Sequence, residues 1–385
     1  MRLHNSYTLS SKNKLRSSKT ITKTVVTGLW IFLFLLVIDF AVNFLFPYPL
    51  DPHIPPKQLS LYFNYGRSIE GKLSQMVGAT DESSSALAQA GWLDPDSWKQ
   101  LNLPTNPAKS EDLLVAVYGM SFSNQVAEAI KQIDPKMALR MIAAPAAPPN
   151  YSFAAYNLDR GRHQADVVML GVLASSVKGL DTMNGMTWQF EGPAPYTYPR
   201  YFLEDGNLKE VSPTITSEAQ LRAAFAKKQQ WNAFINQLQK NDKFFNSFLF
   251  KGNFLDNSAI VRLIRRAWAQ RHQKEIEKQI YSANGFAESE IQVLRAIVTD
   301  FAADAKKDGK MPIVLLLNDR GYDDHLFQAL SGTLKSAAIP YVSTHNIVPA
   351  TNLANFVPDG HFVKSANKEI AKAVLKLIND HFHRR

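Results

Sequence analysis

The 385-residue chain contains no cysteine. That excludes disulfides, thiolate nucleophiles and cysteine-ligated metal, and it leaves the compartment open. Acidic residues are missing from the first 24 positions, where Arg2, Lys12, Lys14, Arg16, Lys19 and Lys23 stand unopposed. The formal charge of +9 therefore falls to about +3 over the rest of the chain, too little to indicate a nucleic-acid partner. The sequence shows neither a nucleotide-binding nor a metal-binding motif, so no cofactor and no metal are expected. What remains is ordinary for a globular protein: 45% hydrophobic and 20% charged residues, with length for one large or two modest domains.

Charge and hydropathy separate at the amino terminus. The basic segment, residues 1–24, precedes an apolar run that starts at Val25 and ends at Phe46, in which sixteen of 22 residues are Val, Leu, Ile or Phe. This length suits one transmembrane helix. Asp39 interrupts the run, but one aspartate costs at most about 3 kcal/mol against roughly 5–10 kcal/mol gained from the apolar residues. No small-x-small cleavage site follows, which favours a retained anchor over a cleaved signal peptide. The positive-inside rule puts the amino terminus in the cytoplasm and the rest outside, in the periplasm of a Gram-negative cell. Asp39 and Asn43 share one helical face. They mark either a helix end dipping into the interface or a polar contact with another membrane protein.

Residues 47–56 (PYPLDPHIPP) read as an extended, proline-dense spacer. A helix over residues 59–77 is expected on the outside of the domain, then a mostly irregular stretch to residue 109 anchored by Trp92 and Trp98. This linker-and-packing region, residues 47–110, ends at a domain boundary near Glu111.

From there apolar strands alternate with helices. Strands are predicted at residues 113–118, 136–143, 166–173, 311–317 and 340–343, with helices after Ser121, over 153–162, 289–307, 324–337 and 367–378. This rhythm predicts an α/β domain: a flavodoxin-like, doubly wound, parallel five-stranded sheet covered on both faces. A long helical insertion, residues 178–309, separates the third strand from the fourth. Its first part (MTWQFEGPAPYTYPRYF) is crowded with aromatics. Trp188, Tyr196 and Tyr198 are candidates to stack on sugar rings, the alternative being a packed lid. Further on, helices are predicted over residues 218–240, with Ser217 as N-cap and Gln220 at N3, and 258–281. The second of these carries Arg262, Arg265, Arg266, Arg271, Lys274 and Lys278, either a solvated face or one turned to an anionic surface.

Ser121 sits in the turn after the first strand, in LLVAVYGMSFSN. A serine hydroxyl needs a base to accept its proton, and the base needs a carboxylate to orient it. The stretch VPDGHFVKSA, just before the last helix, supplies both in Asp359 and His361, and the topology returns it to the same sheet edge. The other histidines, His53, His163, His272, His325 and His345, have no such neighbour and are expected to be structural. An α/β-hydrolase is disfavoured, because Ser123 stands where its elbow has glycine and because acid and base here are adjacent.

At these two blocks the chain resembles the SGNH (GDSL-like) hydrolase superfamily. Gly119-Met120-Ser121-Phe122-Ser123 is similar to the first block, with Met120 in place of the usual Asp, and Asp359-Gly360-His361-Phe362 is similar to the last. The one-residue spacing of Asp and His resembles the membrane-associated alginate O-acetyltransferase branch. The resemblance implies a Ser-His-Asp esterase or acyltransferase working through an acyl-serine, and the expected substrates are O-acyl groups, O-acetyl among them, of an envelope or exported polysaccharide. It also implies a multi-spanning membrane protein as acyl donor. The chain departs from the family at the oxyanion hole: Leu173 occupies the Asn position of the third block, and residues 143–150 hold no clear second-block Gly. Losing one oxyanion donor costs about 10² to 10³ in rate. The Ser121 backbone N–H remains, with Asn150, Ser175 and Ser176 as substitutes by position. A catalytically inactive glycan-binding or assembly protein of a polysaccharide export system is the competing expectation.

Overall fold

The structure is a computed structural model that describes residues 10–78, 83–107, 109, 112–192 and 194–382, with side chains from Lys23 onward. Arg2, Glu111 and the side chains of Lys12, Lys14, Arg16 and Lys19 lie outside the described residues.

Helix α1 (Ser10–Leu45) runs for 36 residues. From Lys23 to Leu45 it is apolar enough to be a membrane anchor or a signal sequence, with mean hydropathy 2.5 over its most apolar window. The single helix expected over residues 59–77 is two, α2 (Gln58–Asn64) and α3 (Ile69–Met76). Ser68 breaks it. Its hydroxyl accepts from Gly71 N–H at 2.9 Å as the cap of α3 and donates to Asp256 at 2.6 Å. Nor does α3 lie on the outside. Ile69, Leu73 and Met76 join Trp92, Trp98 and the central sheet in one hydrophobic core, which crosses the boundary expected near residue 111.

The central sheet is parallel and five-stranded, built from β1 (Leu114–Gly119), β2 (Ala138–Ala143), β3 (Val167–Leu173), β8 (Met311–Leu317) and β9 (Tyr341–Ser343) in the order β2-β1-β3-β8-β9. β1, β3 and β8 are buried at every position, which is why they read as unbroken apolar runs. Helix α4 (Ser121–Ile133) joins β1 to β2, and α5 (Pro149–Asp159) leads back across to β3. The chain thus reverses direction between β1 and β3, opening a crevice at their carboxyl ends.

The insertion contains elements without a clear periodic signal. Two short hairpins, β4 (Arg200–Glu204) with β5 (Asn207–Val211) and β6 (Tyr281–Ser282) with β7 (Gly285–Phe286), flank its helices. The helix expected over 218–240 is split into α6 (Glu218–Phe225) and α7 (Lys228–Asn241). Ser217 caps α6 by accepting from Gln220 N–H at 3.2 Å. Then follow α8 (Ala259–Ile280), α9 (Glu288–Lys307), α10 (His325–Ser336) and α11 (Lys364–Phe382). α11 packs on α4 over one face of the sheet while α5 and α9 pack together over the other.

Helix α1 does not hang free. Asp39 accepts hydrogen bonds from Ser258 Oγ and Ile260 N–H, both at 2.9 Å, at the first turn of α8. Asn43 donates to the Asn257 carbonyl at 3.0 Å and accepts from Arg262 at 2.7 Å. The polar face formed by Asp39 and Asn43 is therefore satisfied within the chain, by a contact that neither sequence expectation named. The proline-dense segment is not a free spacer either: Phe46 stacks on Phe63 at 5.7 Å, and Tyr48, Pro52 and Pro55 line a cavity of about 370 Å³ with Leu61, Tyr65 and Lys72.

Candidate active site

Ser121 is the first residue of α4, directly after β1, so its hydroxyl stands at the carboxyl edge of the sheet beside β3. Two glycines make this junction tight. Ser123, on the first turn of α4, is fully buried, and a Cβ on either Gly119 or Gly171 would collide with its side chain. The helix therefore starts against bare backbone of β1 and β3. Gly171 thus serves as a packing surface for the start of α4.

The opposite half comes from the segment before α11. Phe356 and Phe362 form an isolated antiparallel bridge that closes residues 357–361 into a compact loop, with Gly360 at φ +97°. Asn367 ties the base of this loop to α4 by donating to Gln125 at 3.2 Å and to the Phe362 carbonyl at 3.4 Å. Because α4 and α11 pack together, residues 240 apart meet.

Ser121 Oγ lies 2.7 Å from His361 Nε2, and His361 Nδ1 lies 3.1 Å from Asp359 Oδ1. With the proton on Nδ1, the imidazole donates to the carboxylate and presents Nε2 as acceptor for the serine hydroxyl. The same Asp359 oxygen also accepts the His361 backbone N–H at 3.0 Å. These hydrogen bonds, the backbone one first, hold the Asp359 carboxyl below its usual pKa. Phe122 stacks on the imidazole with ring centres 4.6 Å apart and meets Phe362 edge-on at 5.3 Å. This aromatic brace, which sequence reasoning missed, sits in the residue next to Ser121. Arg320, exposed on the turn after β8, also lowers the Asp359 pKa, and its guanidinium stands 3.3 Å from where a Cβ on Gly360 would lie.

The site is lopsided in its exposure. The His361 side chain is 26% exposed and the Asp359 side chain 68%. The carboxylate faces a cavity of about 350 Å³ walled by Gln125, Glu128, Gln132, Lys364 and Asn367, and Ser121 is not among its walls.

The side-chain oxyanion candidates are engaged elsewhere. Asn150 is fully buried and donates to the carbonyls of Pro199 at 2.8 Å and Thr182 at 3.3 Å. Ser176 Oγ donates to the Leu173 carbonyl at 2.7 Å. Ser175 directs its backbone N–H to Asp319 at 3.0 Å and its hydroxyl to the same carboxyl, whose pKa burial pushes up. Leu173 is buried, 3% exposed. What remains is the start of α4. The first N–H groups of a helix have no intrahelical acceptor, and Met120, the residue in the cap position, makes no side-chain cap bond. The amides of Ser121, Phe122 and Ser123 are therefore left without a side-chain cap from Met120.

The aromatic candidates are core residues. Trp188 is 2% exposed and Tyr196 and Tyr198 are fully buried. Trp188 Nε1 donates to Tyr198 Oη at 2.9 Å, and Tyr196 Oη donates to the Pro145 carbonyl at 2.6 Å. Tyr196 and Tyr198 meet at a tilt with ring centres 5.8 Å apart, and Trp188 packs with Phe244, Ile276 and Ile280, so buried as they are the three offer no sugar-stacking surface, and the packed alternative describes them. On α8 the basic residues divide. Arg262 and Arg265 are buried, Arg266 pairs with Glu191 at 2.8 Å, and Arg271 forms an exposed pair with Glu275. His163, His272, His325 and His345 each bond to a nearby tyrosine, carbonyl or serine.

Among the described residues, no group of three or more His, Asp or Glu side chains is arranged to hold a metal ion. Comparison with known proteins returns no matching family model and no match among curated proteins.

Proposed function

We propose that the chain is a membrane-anchored serine acyltransferase or esterase of the SGNH type, acting on O-acyl groups, O-acetyl above all, of an envelope or exported polysaccharide. The observation that carries this reading is the 2.7 Å contact between Ser121 Oγ and His361 Nε2, with Asp359 on the far ring nitrogen. The strand order supports it. Two outer strands lie on one side of the switch point and three on the other, as in flavodoxin-like sheets, and the serine stands at that point.

The chemistry follows from the geometry. His361 takes the Ser121 proton as Oγ adds to the acyl carbonyl, and the negative charge develops on the carbonyl oxygen. That oxygen is received by the N–H of Ser121 and the other uncapped amides of α4, aided by the positive end of the helix dipole. The tetrahedral adduct collapses to acyl-Ser121. The alkoxide leaves with the proton from His361. A sugar hydroxyl or water, deprotonated by His361, then attacks the acyl-enzyme, and Ser121 recovers its proton. The role wanted from a side-chain Asn thus passes to backbone donors, which Leu173 does not disturb.

The apolar part of α1 serves in this reading as a retained single-pass anchor, with the basic segment cytoplasmic and the catalytic edge outside. A non-catalytic glycan-binding scaffold is the rival, favoured by the exposure of Asp359. Fluorophosphonate labelling decides between them. The intact protein should be labelled at Ser121, and Ser121→Ala and His361→Ala should take no label. Absence of label on the folded wild type would overturn the enzymatic reading. An acetyl-ester assay with and without oligosaccharide acceptor then separates transfer from hydrolysis.

A further inference from the structure

The docking of α1 on α8 has a geometric consequence for where the folded domain sits. Between Lys23 and Asp39 the helix offers residues 24–38, fifteen positions with no charge. At 1.5 Å per residue they extend about 22 Å, against a hydrocarbon core about 30 Å thick. The full apolar helix, Lys23–Leu45, has 23 residues and about 34 Å, enough to cross. Crossing therefore requires the last two turns, those that carry Asp39 and Asn43, to lie at bilayer depth. These are the turns bonded to Asn257, Ser258, Ile260 and Arg262. Whatever surrounds those four residues goes down with them.

Apolar side chains surround them. The short 3-10 turn Phe254–Asn257 leads directly into the docking residues, and its Phe254 is 80% exposed. Leu255 beside it is 39% exposed. Ile264 and Trp268 follow Ile260 at i, i+4 spacing along α8 and are 59% and 51% exposed. In water these large side chains have no reason to protrude together beside an anchor helix whose most apolar window is itself 0% buried. At the edge of a bilayer they are continuous with the apolar surface of the span, and a tryptophan at the headgroup level is the expected outermost anchor. The two polar side chains of the helix that would suffer at that depth are already engaged: the Asp39 carboxylate holds two hydrogen bonds, and Asn43 bridges Asn257 and Arg262.

We infer that the rim of the domain formed by Phe254, Leu255 and Ile264, with Trp268 at its outer margin, is inserted into the membrane leaflet on the domain's side. The occupant of this surface is lipid, and the domain is seated in the membrane at a fixed height rather than carried above it on a tether. The inference rests on the proposed anchoring by α1.

Because the chain has no cysteine, single-cysteine variants report cleanly. Full-length Phe254→Cys and Ile264→Cys, labelled with an environment-sensitive fluorophore, are placed in phosphatidylcholine–phosphatidylglycerol nanodiscs with and without nitroxide-labelled lipid. Val37→Cys, within the span, and Lys376→Cys, on the last helix with its side chain 76% exposed, are the references. The expected result is at least twofold stronger quenching at 254 and 264 than at 376, with a blue-shifted emission. If 254 and 264 match 376 while 37 is quenched, the domain stands off the membrane and the inference is wrong. If 37 is also unquenched, the anchoring itself fails and takes the inference with it.

Discussion

Asp359→Asn tests the proposed mechanism most sharply, because the structure predicts an unusually mild effect. In a triad whose aspartate is buried, the same change lowers turnover about 10⁴-fold, because the amide turns and forces the wrong histidine tautomer. Here two features oppose that outcome. The oxygen that faces the imidazole accepts both the His361 ring N–H at 3.1 Å and the His361 backbone N–H at 3.0 Å. An asparagine that turned its NH₂ inward would lose both bonds, so its carbonyl stays in place and the tautomer is kept. Only the charge is removed, and that charge is 68% exposed to solvent. In water a charge pair at this distance is worth a factor of about five to ten. The expected loss in kcat/KM on an activated acetyl ester is therefore about tenfold for Asp359→Asn. It rises to about a hundredfold for Asp359→Ala, which also frees the ring to rotate. The pH dependence carries the sign. Hydrogen bonds hold the Asp359 pKa below its usual value, so its advantage over asparagine is present at neutral pH. That advantage should persist through the usual carboxylate range and vanish only below it. A loss of 10³ or more for Asp359→Asn would refute the reasoning, since it would require a carboxylate desolvated in the working state.

Further outcomes follow from other parts of the chain. Lys72 is buried, held against the Phe190 carbonyl and ring, and burial pushes its pKa down to about 7. Its native form loses the proton before its unfolded form does, so stability should rise between pH 7 and pH 10. The cost of the buried charge is on the order of 4 kcal/mol at pH 7. Lys72→Met should raise the urea midpoint at pH 7 and flatten that slope, and an unchanged slope would show that the lysine is solvated. Gly171→Ala places a methyl against Ser123 and should cost about 1–3 kcal/mol. It should also slow fluorophosphonate labelling, because the start of α4 must shift, and labelling at the wild-type rate would contradict this. Asp39→Ala strips the acceptor from Ser258 and Ile260 and should loosen the docked helix by roughly 1–3 kcal/mol. Faster limited proteolysis at residues 47–56 in detergent reads this out, and unaltered proteolysis would mean the contact carries no weight.

The five central strands were legible because each is a short apolar run bounded by turn residues, and three of them are buried on both faces. The hairpins β4–β5 and β6–β7 were not. The first is partly exposed and carries Arg200, Glu204, Lys209 and Glu210, so it has no apolar period, and the second has two residues a side. Helix breaks at Ser68 and at residues 226–227 were missed for a different reason. Apolar spacing continues across them, and the break at Ser68 depends on Asp256, distant in sequence. At the candidate site the residue types of Ser121, Asp359 and His361 pointed to chemistry that needs all three together. The aromatic segment misled because hydropathy records that Trp188, Tyr196 and Tyr198 are aromatic, not whether their hydroxyls and indole find partners inside.

The missing oxyanion asparagine is the place where composition and geometry pull apart. A side chain can be read from a sequence, whereas an uncapped helix amide cannot, because it depends on where the helix begins. α4 begins on Ser121 itself, and Met120 offers no oxygen to cover the first-turn donors. Had a serine stood at 120, its hydroxyl could have accepted the amides of Phe122 or Ser123 as an ordinary cap. Met120→Ser is accordingly a separating variant. It should strengthen the helix by about 1 kcal/mol while lowering reactivity at Ser121, because a capped amide is no longer free to receive the developing oxyanion. Equal or greater fluorophosphonate reactivity in Met120→Ser would show that the donors lie elsewhere.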